Sequence, residues 1–122
     1  MKNVCILFFL ILCNVVNAQI INFPDANFKN ALVNTKCVDT NGDGTPDADA
    51  DLNNDGEIDV SEAIIIDNLN VEQANIANLE GINHFISLTD LRCGFNRLES
   101  LNVQGLTNLK YIFCNVNILT SL

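Results

Sequence analysis

The chain has 122 residues, 48% hydrophobic and 17% charged, enough for one small domain. Its formal net charge of −9 has the wrong sign for neutralising phosphates and excludes nucleic acid as a leading partner. The charge is concentrated: nine of the 15 acids lie between Asp39 and Glu62, a stretch without lysine or arginine, and the other six acids match the six bases elsewhere.

The first segment is an export signal. Lys2 gives a positive start, Val4 to Leu12 an apolar run, and Val16-Asn17-Ala18 the small or modest residues of a cleavage site. Residues 1–18 therefore read as a signal peptide, and the mature chain begins at Gln19. The apolar run is too short for a membrane anchor, and no later segment is long enough to cross a bilayer. Leu12 before Cys13 argues against a lipoprotein. Secretion or display at the cell surface follows. Of the five cysteines, Cys37, Cys93 and Cys114 remain after cleavage, an odd number that points neither to a disulfide framework nor to zinc.

A helix is expected next, over Pro24 to Asn34, with Asp25 as its cap and Phe28, Ala31 and Leu32 on one face. Two acidic loops follow. DTNGDGTPDADA puts Asp39, Asn41, Asp43, Gly44, Thr45 and Asp47 in a calcium-loop order, but Pro46 and Ala50 stand where an apolar anchor and a closing glutamate belong. Asp49 or Asp51 would have to reach in to complete it. DLNNDGEIDVSE is the fuller copy. Asp51, Asn53 and Asp55 alternate so that their oxygens can converge on a hard cation, and Gly56 allows the sharp turn. Glu57 offers its carbonyl, Ile58 anchors the loop, Asp59 ligates through water, and Glu62 closes the site. This second loop resembles an EF-hand loop; the first is closer to the acidic calcium repeats of thrombospondin type 3. The resemblance implies one or two calcium ions, held by Asp51, Asn53, Asp55, Glu57, Asp59 and Glu62, and less completely by Asp39, Asn41, Asp43, Thr45 and Asp47. Only a short helix fits between Ser61 and Ile66, so the ion is expected to staple elements together rather than drive a switch.

From Ile66 the chain repeats. Leu88, Leu91, Cys93, Asn96, Leu98 and Leu101 recur 21 residues later as Leu109, Ile112, Cys114, Asn117, Leu119 and Leu122, and a looser copy begins at Ile66. Each copy is expected to supply one short strand, near Leu69-Val71, Leu91-Cys93 and Ile112-Cys114. Asn96 and Asn117 should turn inward and satisfy buried backbone groups. Cys93 and Cys114 fall at matched inward positions and read as buried thiols, with a disulfide between adjacent coils as the alternative. The spacing resembles a leucine-rich repeat. The resemblance implies an α/β solenoid of parallel strands behind a helical N-terminal cap containing the EF-hand-like loop.

With Pro24 to Lys29, Ser61 to Ala63 and Leu79-Glu80-Gly81-Ile82, the whole resembles secreted bacterial internalin-like proteins. On that reading residues 19–65 form the cap and 66–122 form about two and a half coils of a fragment. The resemblance implies a calcium-binding recognition or adhesion module for protein or glycan ligands. Asp90, Arg92, Tyr111 and Phe113 would be the contact residues on a concave repeat face. The alternatives are the non-catalytic N-terminal part of a larger secreted enzyme, or a dockerin-like calcium-dependent docking module. No catalytic residues are expected: His84 is the single histidine, and no nucleophile has a base placed beside it.

Overall fold

The computed structural model describes residues 19–120, so the expected signal peptide at 1–18 and the repeat position at Leu122 lie outside it. Helix α1 spans Ala26–Asn34, and its sequence explains both its start and its orientation. Asp25 is extended and accepts hydrogen bonds from the amides of Asn27 (2.9 Å) and Phe28 (3.0 Å), two of the donors that a helix start leaves free. Phe28, Ala31 and Leu32 are buried, on the face the spacing predicts. Before the helix, Phe23 meets Phe28 edge to face with ring centroids 5.2 Å apart, a favoured aromatic geometry. Gly81 is required by that same ring. Its φ is +105°, and a β-carbon there would lie 2.6 Å from Phe23.

Between these pieces run the acidic loops. Gln19 and Ile21 pair antiparallel with Val60 and Ile58 through bonds of 2.9 Å each, which ties the start of the described chain to the end of the second loop. Helix α2, Val60–Ala63, is a single turn. Asp59 caps it while Glu62 reaches back to the Asp59 amide, forming a complete capping box.

Three strands follow: β1 (Asn68–Asn70), β2 (Asp90–Arg92) and β3 (Tyr111–Phe113). They lie parallel in the order β1-β2-β3, with Leu69, Leu91 and Ile112 in register. The 21- to 22-residue spacing thus sets the register, although each strand begins one residue earlier than expected. The outer edge of β1 is covered by Cys37, whose carbonyl accepts from the Asn70 amide at 2.8 Å. Asn96 fills its expected role. Its side chain accepts from the amides of Ala74 (3.1 Å) and Ile76 (3.0 Å) and donates to the carbonyls of Val71 (2.9 Å) and Cys93 (3.0 Å). Asn117 repeats part of this with the Leu98 amide and the Cys93 and Cys114 carbonyls, each at 3.0 Å. Buried backbone groups that would otherwise be orphaned are satisfied in this way.

The expected α/β solenoid of leucine-rich repeats is corrected by this architecture. The chain forms a small open sheet of three three-residue strands beside two short α-helices, and among the described residues the only other helix is a 3-10 turn at Ile82–His84. Periodic leucines bring the strands together, but the intervening segments are turns rather than a regular second layer. Burial also runs out across the sheet: Leu69 and Leu91 are 1% and 0% exposed, whereas Ile112 is 41% exposed. The concave repeat face expected for ligand contact is correspondingly replaced by the exposed face of a short sheet. One apolar cluster links the helical part to the sheet, with Phe28, Leu32, Ile58, Leu69, Phe85 and Leu91 fully or almost fully buried.

Candidate metal centre and the adjoining sheet face

The second acidic loop is built from its own carboxylates bonding its own amides. Asp51 accepts from the amides of Asp55 (3.1 Å) and Gly56 (2.8 Å). Asn53 accepts from the Asp55 amide at 3.0 Å, and Asp55 from the Glu57 amide at 2.9 Å. Gly56 has φ +82°, the left-handed conformation expected of its position. Ile58 is fully buried, as an anchor should be. Glu62 closes the loop: one carboxylate oxygen accepts from the Asn53 amide (3.0 Å) and the other from the Asp59 amide (2.9 Å). The Asp59 side chain is occupied in capping α2, and the Ser61 hydroxyl, with the Glu62 amide behind it, holds its carboxyl below the usual range.

The electrostatics of this loop are unbalanced. Asp51 and Glu62 are only 5% and 4% exposed, yet the sole ion pair among the described residues joins Lys29 on α1 to Glu57 at 2.6 Å, on the loop's outer side. Buried carboxylates without a cationic partner are costly, and amide dipoles offset only part of that cost. The donor set of Asp51, Asn53, Asp55, the Glu57 carbonyl and Glu62 is all oxygen, the chemistry that calcium prefers. Among the described residues no group of three or more His, Cys, Asp or Glu side chains is preassembled as a metal site. Of the predicted set, Asp51, Asp59 and Glu62 are buried, while Asn53 and Asp55 are exposed.

The first loop has the same inner scheme. Asp39 accepts from the amides of Gly42 and Gly44 at 2.7 Å each, Asn41 from Asp43 at 2.9 Å, and Asp43 from Thr45 at 2.8 Å. Its far end is different. Ala50 is buried and apolar where the second loop has Glu62. Asp49 bonds the Asp51 amide at 3.1 Å, and Asp51 is engaged in its own loop, so neither makes a hydrogen bond into the first. Asp47 turns to Thr40, whose amide and hydroxyl hold its carboxyl below the usual range.

The expected contact residues share the exposed face of the sheet. Asn68, Asp90 and Tyr111 form one cross-strand row, and Asn70, Arg92 and Phe113 the next. Tyr111 and Phe113 are 57% and 43% exposed. The Arg92 guanidinium sits 4.8 Å from the Phe113 ring centroid, in cation–π range. The sequence gives no sign of what borders this face. Asn68 accepts from the Asp39 amide at 2.7 Å and donates to its carbonyl at 2.9 Å, pinning the first acidic loop against β1. A cleft of about 290 Å³ opens between loop and sheet, with Asp39, Pro46, Asp67, Asn68, Asp90 and Arg92 in its walls. The two partners, Asp39 and Asn68, lie 29 positions apart, and nothing in either local segment names the other.

Cys37 and Cys93 are chemically quiet, and Cys114, expected to be buried, is half-buried. Cys37, Cys93 and Cys114 are free thiols, and burial pushes Cys37 and Cys93 up to about 12, far above the range of reactive thiols.

No family model matches the chain, and no curated protein matches it. Among solved structures it is similar to one described as CBM51-2 in complex with GlcNAc and INT domains from Clostridium perfringens ZmpB, with a TM-score of 0.56 and 19% identity. The match covers 76% of this chain and 17% of that one, so this chain spans about a sixth of its neighbour. At that identity the likeness bears on the fold alone, and the description names no leucine-rich repeat. Among the described residues no helix is long and apolar enough to cross a membrane.

Proposed function

We propose that this chain is a non-catalytic recognition module, exported by its first 18 residues and stabilised by calcium in the second acidic loop. The observation that carries the calcium reading is the burial of Asp51 and Glu62 without a basic partner among the described residues. A cation held by these two, with Asn53, Asp55 and the Glu57 carbonyl, would neutralise their buried charge. It would also fix the loop that joins α1, through the Lys29–Glu57 pair and the Ala50 amide on the Leu32 carbonyl (2.8 Å), to the strand-bearing half. The ion's contribution is charge neutralisation and cross-linking. At about ten times its dissociation constant, linkage gives roughly 1.4 kcal/mol for one site, enough to hold a small domain and too little to drive a large rearrangement.

Recognition is assigned to the sheet face, where Tyr111 and Phe113 stand exposed beside polar neighbours. The neighbour's complex with GlcNAc keeps glycans, beside proteins, among the ligands to be tested. A module within a longer extracellular protein is a second reading, favoured by the 17% share of the neighbour that this fold occupies.

The test is adhesion. Beads coated with the chain are expected to be retained on at least one of chitin, mucin or gelatin surfaces. Tyr111→Ser combined with Phe113→Ser should release them without lowering the melting temperature. Retention that is unchanged by these substitutions, or no retention on any surface, would contradict the reading.

A further inference from the structure

The cleft between the first acidic loop and the sheet is preformed. Its loop wall is closed by its own hydrogen bonds and fixed to Asn68 at 2.7 and 2.9 Å, so a ligand meets it without ordering it first. Its charge is not balanced internally. Asp67 and Asp90 line it together with Asp39, and Arg92 is its one basic residue. Arg92 lies over the Phe113 ring and makes no ion pair among the described residues. Asp67 accepts one bond, from the Asn68 side chain (2.8 Å), and Asp90 one, from the Thr89 hydroxyl (2.7 Å). Each therefore keeps a second oxygen without a partner among the described residues. Both stand outside the two acidic loops, so calcium in either loop would leave their charge in place.

Resting on the recognition reading above, we infer that the partner is a protein segment carrying lysine or arginine, bound extended along the sheet with one basic side chain in the cleft. Charge complementarity selects this occupant. An ammonium or guanidinium group would take the free oxygens of Asp67 and Asp90, forming charge-assisted bonds. Tyr111, which is beside Asp90 in register and 57% exposed, would meet the next basic side chain along the sheet. A neutral glycan would use the ring and the asparagines but would gain nothing from the surplus of carboxylates. An acidic segment would be repelled.

The experiment titrates the full chain, in excess calcium and low salt, with a labelled peptide of alternating lysine and serine. The lysine-acetylated peptide and a chitin oligosaccharide serve as comparisons. The lysine peptide is expected to bind, and acetylation to weaken it about tenfold, the scale of two partly exposed charge contacts. Asp67→Asn with Asp90→Asn should weaken it as much at an unchanged melting temperature, and Glu80→Gln, outside the cleft, should leave it unaltered. If the double variant loses stability, Asp90→Asn alone, which keeps an acceptor for Thr89, is expected to show a smaller loss in the same direction. Equal binding of the acetylated peptide, or equal binding by both variants, would overturn the inference. Binding of the oligosaccharide alone would also overturn it while leaving the recognition reading intact. Binding of none of the probes overturns it as well, and bead adhesion then shows whether the broader reading falls too.

Discussion

The two acidic loops share a backbone scheme and differ in what lies behind it. In each, an aspartate at the start accepts from a glycine amide five residues on, Asp39 from Gly44 at 2.7 Å and Asp51 from Gly56 at 2.8 Å. In each, the next asparagine and aspartate accept from the amide two residues on. These are local bonds that short polar side chains make wherever glycine lets the chain turn. They are therefore weak evidence of an ion in either loop. The second loop adds a buried Ile58, a buried Asp51 and a closing Glu62, whereas the first ends in a buried Ala50 and an Asp47 bonded to Thr40. Turn chemistry makes the loop, and what is buried at its far end decides whether it has charge to neutralise.

The sharpest way to separate the two is through their anchors. Ile58→Ala should cost about 3 kcal/mol, because the side chain is fully buried and leaves a cavity. Pro46→Ala, at the matching position of the first loop, should cost under about 0.5 kcal/mol. Urea melts of both variants would show the gap, and equal losses would erase the proposed difference.

The next contrast is in charge. Asp51→Asn is expected to abolish the stabilisation by calcium, about 1.4 kcal/mol at tenfold excess over the dissociation constant. In chelator it should cost little, since it removes a buried charge that has no cationic partner among the described residues. Asp39→Asn should change the melting temperature little in either buffer. Thermal melts with and without calcium check the pair. A second-loop variant that still gains stability from calcium would place the ion elsewhere.

A smaller effect concerns how the start of α1 is held to the segment at Ala77 and Asn78. Burial opposes ionisation of Asp25, but the amides of Phe28, Ala77, Asn78 and Asn27 outweigh it and leave its pKa below the usual value. Its contribution is thus present above about pH 4, the unfolded value, and is lost as pH falls through the lower folded value. Asp25→Ala should cost about 1 kcal/mol at pH 7 and less below pH 4, measurable as converging denaturation curves. Smallest is Lys29→Met. The pair with Glu57 is about one-third exposed on both sides, so its loss should stay under about 1 kcal/mol and shrink further in salt.

These contrasts also mark what the sequence could and could not disclose. The left-handed Gly56 and the buried Ile58 were legible because a twelve-residue loop is local, and each of these positions has a single physical task. Helix α1 was legible from its cap and from the face carrying Phe28, Ala31 and Leu32. Asn96 and Asn117 were legible because each recurs at a fixed offset from a strand. The architecture around them was not. Periodic leucines specify that strands lie side by side, but they do not specify a regular second layer, and an open three-stranded sheet satisfies the same spacing. The reach of Asp25 to the amides of Ala77 and Asn78 at 2.8 and 3.0 Å spans more than 50 positions. The cleft beside Asn68 likewise depends on a distant loop. Contacts of this kind have no local pattern to announce them.

Calcium in the second loop is the claim on which the most depends. Isothermal titration calorimetry of the chain with calcium, run beside Glu62→Gln, tests it most directly. A saturable heat and a rise in melting temperature are expected for the native sequence, with affinity at least about tenfold weaker after the substitution. No heat from the native sequence and no gain in melting temperature, or the same affinity in both proteins, would contradict the account.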